Sequence, residues 1–167
     1  MEVVTSLVVS SDLFRPPFRQ MVRRTSSLYR FLFHTVTIGV RALVIDGTGR
    51  VFLIKHSYMA GWYLPGGGVE VGETLMTALA RELLEEGNVS LIEPSQFFGM
   101  YLNARTSRRD HVALYVVRSF RQGTPKPNKE VIAHGFFSPE SLPSDTTPST
   151  CARIGEVLEG RTVSEIW

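Results

Sequence analysis

The sequence lacks most of the features that would assign it to a specialised class of protein. Its 167 residues include a single cysteine, Cys151. An internal disulfide is therefore impossible, and a zinc site built from several cysteines is excluded. No apolar run approaches the roughly 18 residues that a transmembrane helix needs. We therefore expect no transmembrane span and a cytoplasmic, reducing environment.

The chain also lacks a strong surplus of either charge. It has 18 Lys and Arg against 16 Asp and Glu, a formal net charge of +2. A general nucleic-acid binder carries a larger basic surplus, so we expect no stable nucleic-acid partner. The length suits one domain with a substantial core, and the composition is that of an ordinary globular protein.

What the sequence does contain is a glycine-rich loop, residues 66–73, followed by a predicted helix over residues 74–89. At about 100° per residue, Glu82, Glu85 and Glu86 fall on one side of this helix. Ala78 lies one turn earlier on the same side, where it leaves room for an ion or a substrate. The opposite flank follows the apolar template and is expected to face a core; it comprises Met76, Leu79, Ala80, Leu83 and Leu84.

Clustered carboxylates on a helix repel one another, at a cost of about 0.2–0.5 kcal/mol per pair. A divalent cation removes this penalty, and carboxylate oxygens are hard ligands that suit Mg²⁺ or Mn²⁺. The spacing by itself is equally compatible with a solvated, glutamate-rich helix face.

The wider pattern resembles the signature of the Nudix hydrolases, G-x5-E-x7-R-E-U-x-E-E-x-G-U, in which U is aliphatic. Here it begins at Gly67, continues through Glu73 and Arg81, and ends at Val89. The one departure is Asn88 in place of the last glycine, and asparagine also tolerates the left-handed conformation that ends a helix. The resemblance implies an α/β fold, the Nudix α/β/α sandwich with a mixed β-sheet and a loop-helix-loop motif.

The same resemblance implies an enzyme that hydrolyses a nucleoside diphosphate linked to another moiety, with Mg²⁺ or Mn²⁺ as cofactor. Its substrate would be ADP-ribose or a nucleotide sugar, a damaged (d)NTP, or a dinucleoside polyphosphate. The implied metal ligands are Glu82, Glu85 and Glu86, with the Gly66 carbonyl as a further candidate. Arg81 is expected to orient a carboxylate by bidentate pairing rather than to touch the substrate.

The general base stays open among Glu82, Glu85 and Glu130. Glu130 begins a predicted strand, residues 129–137, that ends in two aromatic residues and resembles the ending common in the family. In many members that position supplies an extra metal ligand or catalytic carboxylate. The alternative is an exposed glutamate on a strand.

Before the glycine-rich loop, residues 37–45 predict a buried strand, and Asp46-Gly47-Thr48-Gly49 predicts a hairpin to a partner strand over residues 50–56. This hairpin would place three side chains near the rim of the loop, as candidates for phosphate or base contacts. They are Lys55, His56 and Tyr58.

A basic turn over residues 104–110 separates two further predicted strands, 95–103 and 111–118. Arginine suits phosphate geometry, so Arg105, Arg108 and Arg109 are candidates for contacts with a polyphosphate or nucleotide. A solvated hairpin tip explains the same arginines equally well.

Residues 1–34 form an N-terminal extension that we expect to be partly helical, and residues 35–167 form the predicted domain. Four arginines lie among apolar residues between positions 18 and 34. Such a segment can lie on an anionic membrane or contact RNA, but we favour a helix that packs on the domain or on a second subunit. A homodimer is compatible with this pattern.

Two other functions fit parts of the pattern. A nucleotide-sensing module with this fold but without catalysis would not need three metal-ready carboxylates. An isopentenyl-diphosphate isomerase of the same fold is disfavoured because Cys151 lies in a predicted helix, residues 150–159, far from the acidic motif.

Overall fold

A computed structural model of the chain describes residues 35–124 and 129–167. The N-terminal extension, residues 1–34, which we expect to be partly helical, lies outside the described residues, as do residues 125–128. No helix in the described ranges is long and apolar enough to span a membrane.

The described part of the chain contains seven strands, two α-helices and a short 3₁₀ turn. In chain order the elements are β1 (Thr37–Val44), β2 (Val51–His56), α1 (Leu75–Gly87), β3 (Val89–Leu91), β4 (Gln96–Leu102), β5 (Asp110–Val117), β6 (Phe120–Gln122), β7 (Val131–Phe137), a 3₁₀ turn (Pro139–Ser141) and α2 (Pro148–Leu158).

The central sheet is mixed and has the order β1-β5-β4. β1 pairs with β5 in parallel, and β4 pairs with β5 in antiparallel orientation. Two antiparallel ribbons, β2 with β7 and β3 with β6, complete the strand pairing of the described residues.

β1 and β5 bury both of their faces, because successive side chains alternate between two apolar clusters. One cluster packs against α1 and includes Val40, Ala42, Val44, Ala113, Tyr115, Val117, Ala78, Leu79 and Leu83. The other includes Leu43, Ile45, Leu114 and Val116 together with Ile154 of α2. The two helices therefore cover opposite faces, and the expected α/β/α sandwich is confirmed.

The turn predicted at residues 46–49 is present. The Gly49 amide donates to the Asp46 carbonyl at 3.0 Å, and the Asp46 carboxylate accepts from the Thr48 amide at 2.9 Å. The predicted pairing of the strands on either side is wrong, because β2 pairs with β7, and next to the turn only an isolated bridge joins Ile45, just after β1, to Val51.

The glycine-rich loop explains why β2 does not pair with β1. β1 has β5 on one edge, and the loop occupies backbone groups on the other. The Val40 amide donates to the Gly67 carbonyl at 2.8 Å, and the Ala42 amide donates to the Pro65 carbonyl at 2.9 Å. β1 therefore positions the loop on which the candidate site is built.

Helix α1 has a cap at each end. The Thr74 hydroxyl accepts from the Thr77 amide at 3.1 Å, as is typical of an N-cap. Asn88 ends the helix in the left-handed conformation, with φ 49° and ψ 39°, as its position in the motif predicts. The Asn88 side chain also donates to the Thr124 carbonyl at 2.8 Å.

The orientation predicted for α1 is wrong at two positions. Ala78 is fully buried in the core, so it leaves no open room for an ion or a substrate, and Leu84 is 51% exposed rather than buried. Glu86 is only 8% exposed. The buried face is rotated because the Glu86 carboxylate is drawn inward to the Gly66 amide, which it meets at 2.6 Å.

We predict that Asn88→Ala destabilises the protein by about 1–2 kcal/mol, since alanine is strained in this conformation and loses the bond to Thr124. Asn88→Gly should cost less, because glycine adopts the conformation without strain. Urea unfolding of the three proteins measures the difference. An Asn88→Ala variant as stable as the wild type would contradict this account of the helix end.

Candidate active site

Gly66 joins the loop to helix α1. Its amide donates to Oε2 of Glu86 at 2.6 Å. Its φ is +133°, and a Cβ at this position would overlap the Val40 carbonyl. Glycine is therefore required for the loop to lie on β1 while its amide contacts Glu86.

Gly67 makes room for Glu82. A Cβ on Gly67 would collide with the Glu82 carboxylate, so this carboxylate lies directly against the loop backbone. Oε1 of Glu82 also accepts from Nη1 of Arg81 at 2.8 Å.

Arg81 braces the loop against the helix. It makes a bidentate pair with Glu73, through Nε to Oε1 at 2.9 Å and Nη2 to Oε2 at 3.0 Å. Nη2 also donates to the Gly68 carbonyl at 3.0 Å, and Nη1 lies 3.7 Å from Oε2 of Glu85. The bonds from Arg81 lower the pKa of Glu73 to about 2. Arg81 thus makes the bidentate carboxylate pairing expected of it.

Glu86 has an unfavourable environment for a charged carboxylate. Burial raises its pKa to about 7, and the charges of Glu82 and Glu130 act in the same direction. The guanidinium of Arg41 and the bond from Gly66 oppose this rise. Near neutral pH, a bound cation would therefore favour ionised Glu86.

His56 lies beside Glu86, with 3.7 Å between His56 Nε2 and Glu86 Oε1. Both ring nitrogens are buried and have no hydrogen-bond partner in the described part of the chain. Burial and the charge of Arg41 lower the pKa of His56. The ring of Tyr58 covers His56 at a centroid distance of 5.0 Å, and Tyr58 is 64% exposed at the surface. Of these two candidates, Tyr58 is the one that solvent or a ligand can reach.

Glu130, just before β7, faces the same region. Its carbonyl accepts from the Ser57 amide at 2.8 Å. Its negative charge raises the pKa of both Glu86 and Tyr58. The fold therefore brings Glu130 to the cluster on α1 from a distant part of the sequence.

Arg41 is a residue of this region that the sequence reasoning missed. Its Nη1 donates to the carbonyls of Leu64, at 3.1 Å, and Gly66. The Gly66 carbonyl, the further candidate metal ligand, therefore accepts from an arginine here. The sequence feature that could have identified Arg41 is that it is the one charged residue of β1.

The remaining candidates lie in different settings. Lys55 makes an ion pair with Asp145, with 2.7 Å between Nζ and Oδ2. Arg105 lines a cavity beside Arg41 and Leu64. Arg108 and Arg109 are exposed on the β4–β5 turn and do not line that cavity.

The carboxylates fit a divalent cation by their chemistry, although they do not surround a common point. Within residues 35–124 and 129–167, no three acidic, histidine or cysteine side chains converge to hold a metal. Glu82 is paired with Arg81, and Glu86 accepts from Gly66. Hard oxygen donors and a buried carboxylate with a raised pKa suit Mg²⁺ or Mn²⁺. Binding would exchange some of these pairings for metal contacts.

Comparison with known proteins adds independent information. The model of the NUDIX domain matches residues 35–154. A MutT-like protein of Streptomyces ambofaciens is 27% identical over 124 residues, which is 74% of this chain and 78% of that protein. A protein of Bacillus subtilis named a putative 8-oxo-dGTP diphosphatase is 25% identical over 127 residues, 74% of this chain and 81% of that protein. The crystal structure of a MutT NUDIX hydrolase from Burkholderia pseudomallei superposes with a TM-score of 0.62 and 26% identity, covering 72% of this chain and 97% of that one.

We predict that, without divalent metal, Glu86→Gln becomes more stable relative to the wild type as pH rises. The folded-state pKa of Glu86, about 7, lies above its ordinary value of 4.5. The stability that protonation of Glu86 contributes to the folded protein is therefore fully present below pH 4.5 and is lost as pH rises through 7. The difference corresponds to on the order of 3 kcal/mol.

Urea unfolding in EDTA at pH 5 and pH 8 measures this effect. Glu85→Gln, an exposed position on the same helix, is the matched control. If the difference in unfolding free energy between Glu86→Gln and the wild type did not change with pH, burial would not raise the pKa of Glu86.

Proposed function

Because the chain belongs to the NUDIX family of pyrophosphohydrolases, we propose that it cleaves the pyrophosphate bond of a nucleoside diphosphate linked to another moiety, with Mg²⁺ or Mn²⁺ as cofactor. The name of the Bacillus subtilis relative, a putative 8-oxo-dGTP diphosphatase, favours nucleoside triphosphates among the candidate substrates. ADP-ribose, nucleotide sugars and dinucleoside polyphosphates are the other candidate substrates.

The observation that carries this proposal is the placement of carboxylates on the glycine-rich loop. Glu82 lies against Gly67, and Glu86 is buried on the Gly66 amide. The charges of Glu82 and Glu130 both act on Glu86. A protein built only for stability gains little from crowding carboxylates in this way, whereas a cation site needs them.

We assign Glu82, Glu85 and Glu86 as the residues that would hold the cation. The Gly66 carbonyl is a further ligand if Arg41 releases it. The bound cation would neutralise phosphate oxygens and lower the pKa of a bound water.

The chain's own residues supply the remaining functions. Arg81 holds the loop and the helix in a fixed relation through Glu73. Of the three candidate bases, Glu82 is half-buried and accepts from Arg81. Glu85 and Glu130 are exposed, so a water can approach either of them. We therefore place the general base in this pair.

A substrate panel with Mg²⁺ and Mn²⁺ tests the reaction. It comprises normal and oxidised (d)NTPs, ADP-ribose, nucleotide sugars and dinucleoside polyphosphates, with products identified by mass spectrometry. We expect cleavage between two phosphorus atoms of at least one compound. In Glu86→Gln, turnover should fall by about a hundredfold or more, since a metal ligand is lost.

Glu93→Gln, an exposed glutamate between β3 and β4, is the matched control and should retain wild-type turnover. Near-normal activity in Glu86→Gln would overturn the site assignment. Nucleotide binding without hydrolysis across the whole panel would instead support the nucleotide-sensing alternative.

We also predict that Gly67→Ala weakens binding of Mn²⁺ about 10–100-fold, because the new methyl group would displace Glu82 from the loop. The control is Gly47→Ala, where an added Cβ has nothing within 4 Å. Isothermal titration calorimetry measures both affinities without requiring turnover. Equal Mn²⁺ affinities in the two variants would contradict the assignment of Glu82 as a metal ligand.

A further inference from the structure

A cavity of about 320 Å³ lies beside the glycine-rich loop. Arg41 and Leu64 line the cavity where it approaches the loop. Nη1 of Arg41 also donates to the Gly66 carbonyl, and the amide of Gly66 donates to Glu86. Arg41 and Gly66 therefore connect the cavity wall to Glu86 through two hydrogen bonds.

Trp167 forms part of the wall of this cavity, together with Tyr63, Asn103 and Arg105. Neither Asp nor Glu occurs among its lining residues. A neighbouring cavity of about 370 Å³ shares Arg105 and Trp167 with the first. The indole of Trp167 therefore lies where the two cavities meet.

Trp167 lies beyond residue 154, where the match to the NUDIX domain ends. Its position is nevertheless well defined by backbone hydrogen bonds. The Trp167 amide donates to the Leu102 carbonyl at 3.1 Å, and the Leu102 amide donates to the Glu165 carbonyl at 2.8 Å. This segment thus pairs in parallel with the last residue of the edge strand β4, and this pairing places Trp167 at the cavity.

A buried ion pair also supports the indole. Arg153 and Glu156 are both buried on α2 and approach to 2.6 Å. Arg153 also donates to the Ile166 carbonyl at 2.9 Å, and its guanidinium lies 5.5 Å from the centre of the Trp167 ring. Tyr101 contacts the same ring edge-on at 5.6 Å. These contacts hold the ring in one orientation before any ligand arrives.

We propose that Trp167 is a substrate-binding residue, whose indole stacks on the aromatic base of the substrate while the diphosphate extends past Arg41 toward the glutamates. This proposal rests on the proposed function. A rigid aromatic face can stack on any base. The volume of the cavity suits a nucleoside-sized group.

Steady-state kinetics of Trp167→Leu and Trp167→Phe test the proposal. The substrates are the best nucleotide of the panel and its analogue in which the base is replaced by hydrogen. For Trp167→Leu we expect the KM of the nucleotide to rise about tenfold or more, with kcat within about twofold of the wild type. Trp167→Phe should recover most of this loss, and the KM of the base-free analogue should be the same in all three proteins.

The base-free analogue separates stacking from a packing role. If Trp167 only supports the fold, its loss should change the kinetics of both compounds alike. Equal KM increases for the two compounds, or an unchanged KM for the nucleotide, would overturn the proposal.

Fluorescence supplies a measurement that does not depend on turnover. The chain has two tryptophans, Trp62 and Trp167, so Trp62→Phe leaves Trp167 as the only emitter. Added nucleotide should quench this emission saturably, and the base-free analogue should not. In Trp167→Phe, the emission of Trp62 should change little.

The two measurements keep the proposals separable. Saturable quenching without cleavage of any compound would support Trp167 and refute the proposed function. Cleavage with neither quenching nor a base-dependent rise in KM would refute the role of Trp167 and leave the proposed function standing.

Discussion

The hydrogen bond from the Gly66 amide to Glu86 is the contact on which the candidate site depends. It joins a loop that lies along β1 to a helix that packs on the same sheet. Because Glu86 must reach this amide, α1 turns a carboxylate toward the protein interior and exposes Leu84. The burial that raises the pKa of Glu86 is thus a consequence of how the loop is attached. An acidic cluster is formed at the edge of an apolar core.

Two arginines stabilise this arrangement from different sides. Arg81 pairs with Glu73 and Glu82 and braces the loop against the helix. Arg41 extends from β1 to the carbonyl of Gly66, lies on the cavity wall, and lowers the pKa of Glu86. We infer that the two arginines have different roles. Arg81 fixes the carboxylates, whereas Arg41 connects Gly66 to the cavity that Trp167 lines.

Local features of the sequence predicted both α-helices and the longer strands, but not the short strands β3 and β6. Asn88 ends the helix because asparagine tolerates the left-handed conformation. This preference is a local property of the residue, so it can be predicted from the sequence. The strand pairing and the rotation of α1 depend on distant contacts. The predicted hairpin of β1 with β2 failed because loop residues 65–67 compete for the edge of β1. Helical periodicity places the three glutamates together, but it does not specify that Glu86 turns inward. The buried Arg153–Glu156 pair could not be predicted from the sequence either, because charged residues on a helix are ordinarily exposed.

The central claim is that the glutamates of α1, positioned by the glycine-rich loop, hold a divalent cation. A crystal structure with Mn²⁺, located by its anomalous scattering, tests this claim most directly. The account predicts an ion at about 2.0–2.3 Å from carboxylate oxygens of Glu82 and Glu86, with Arg81 still paired to Glu73. An ion bound elsewhere, or none at millimolar Mn²⁺ with Glu86 still held only by the Gly66 amide, would contradict it.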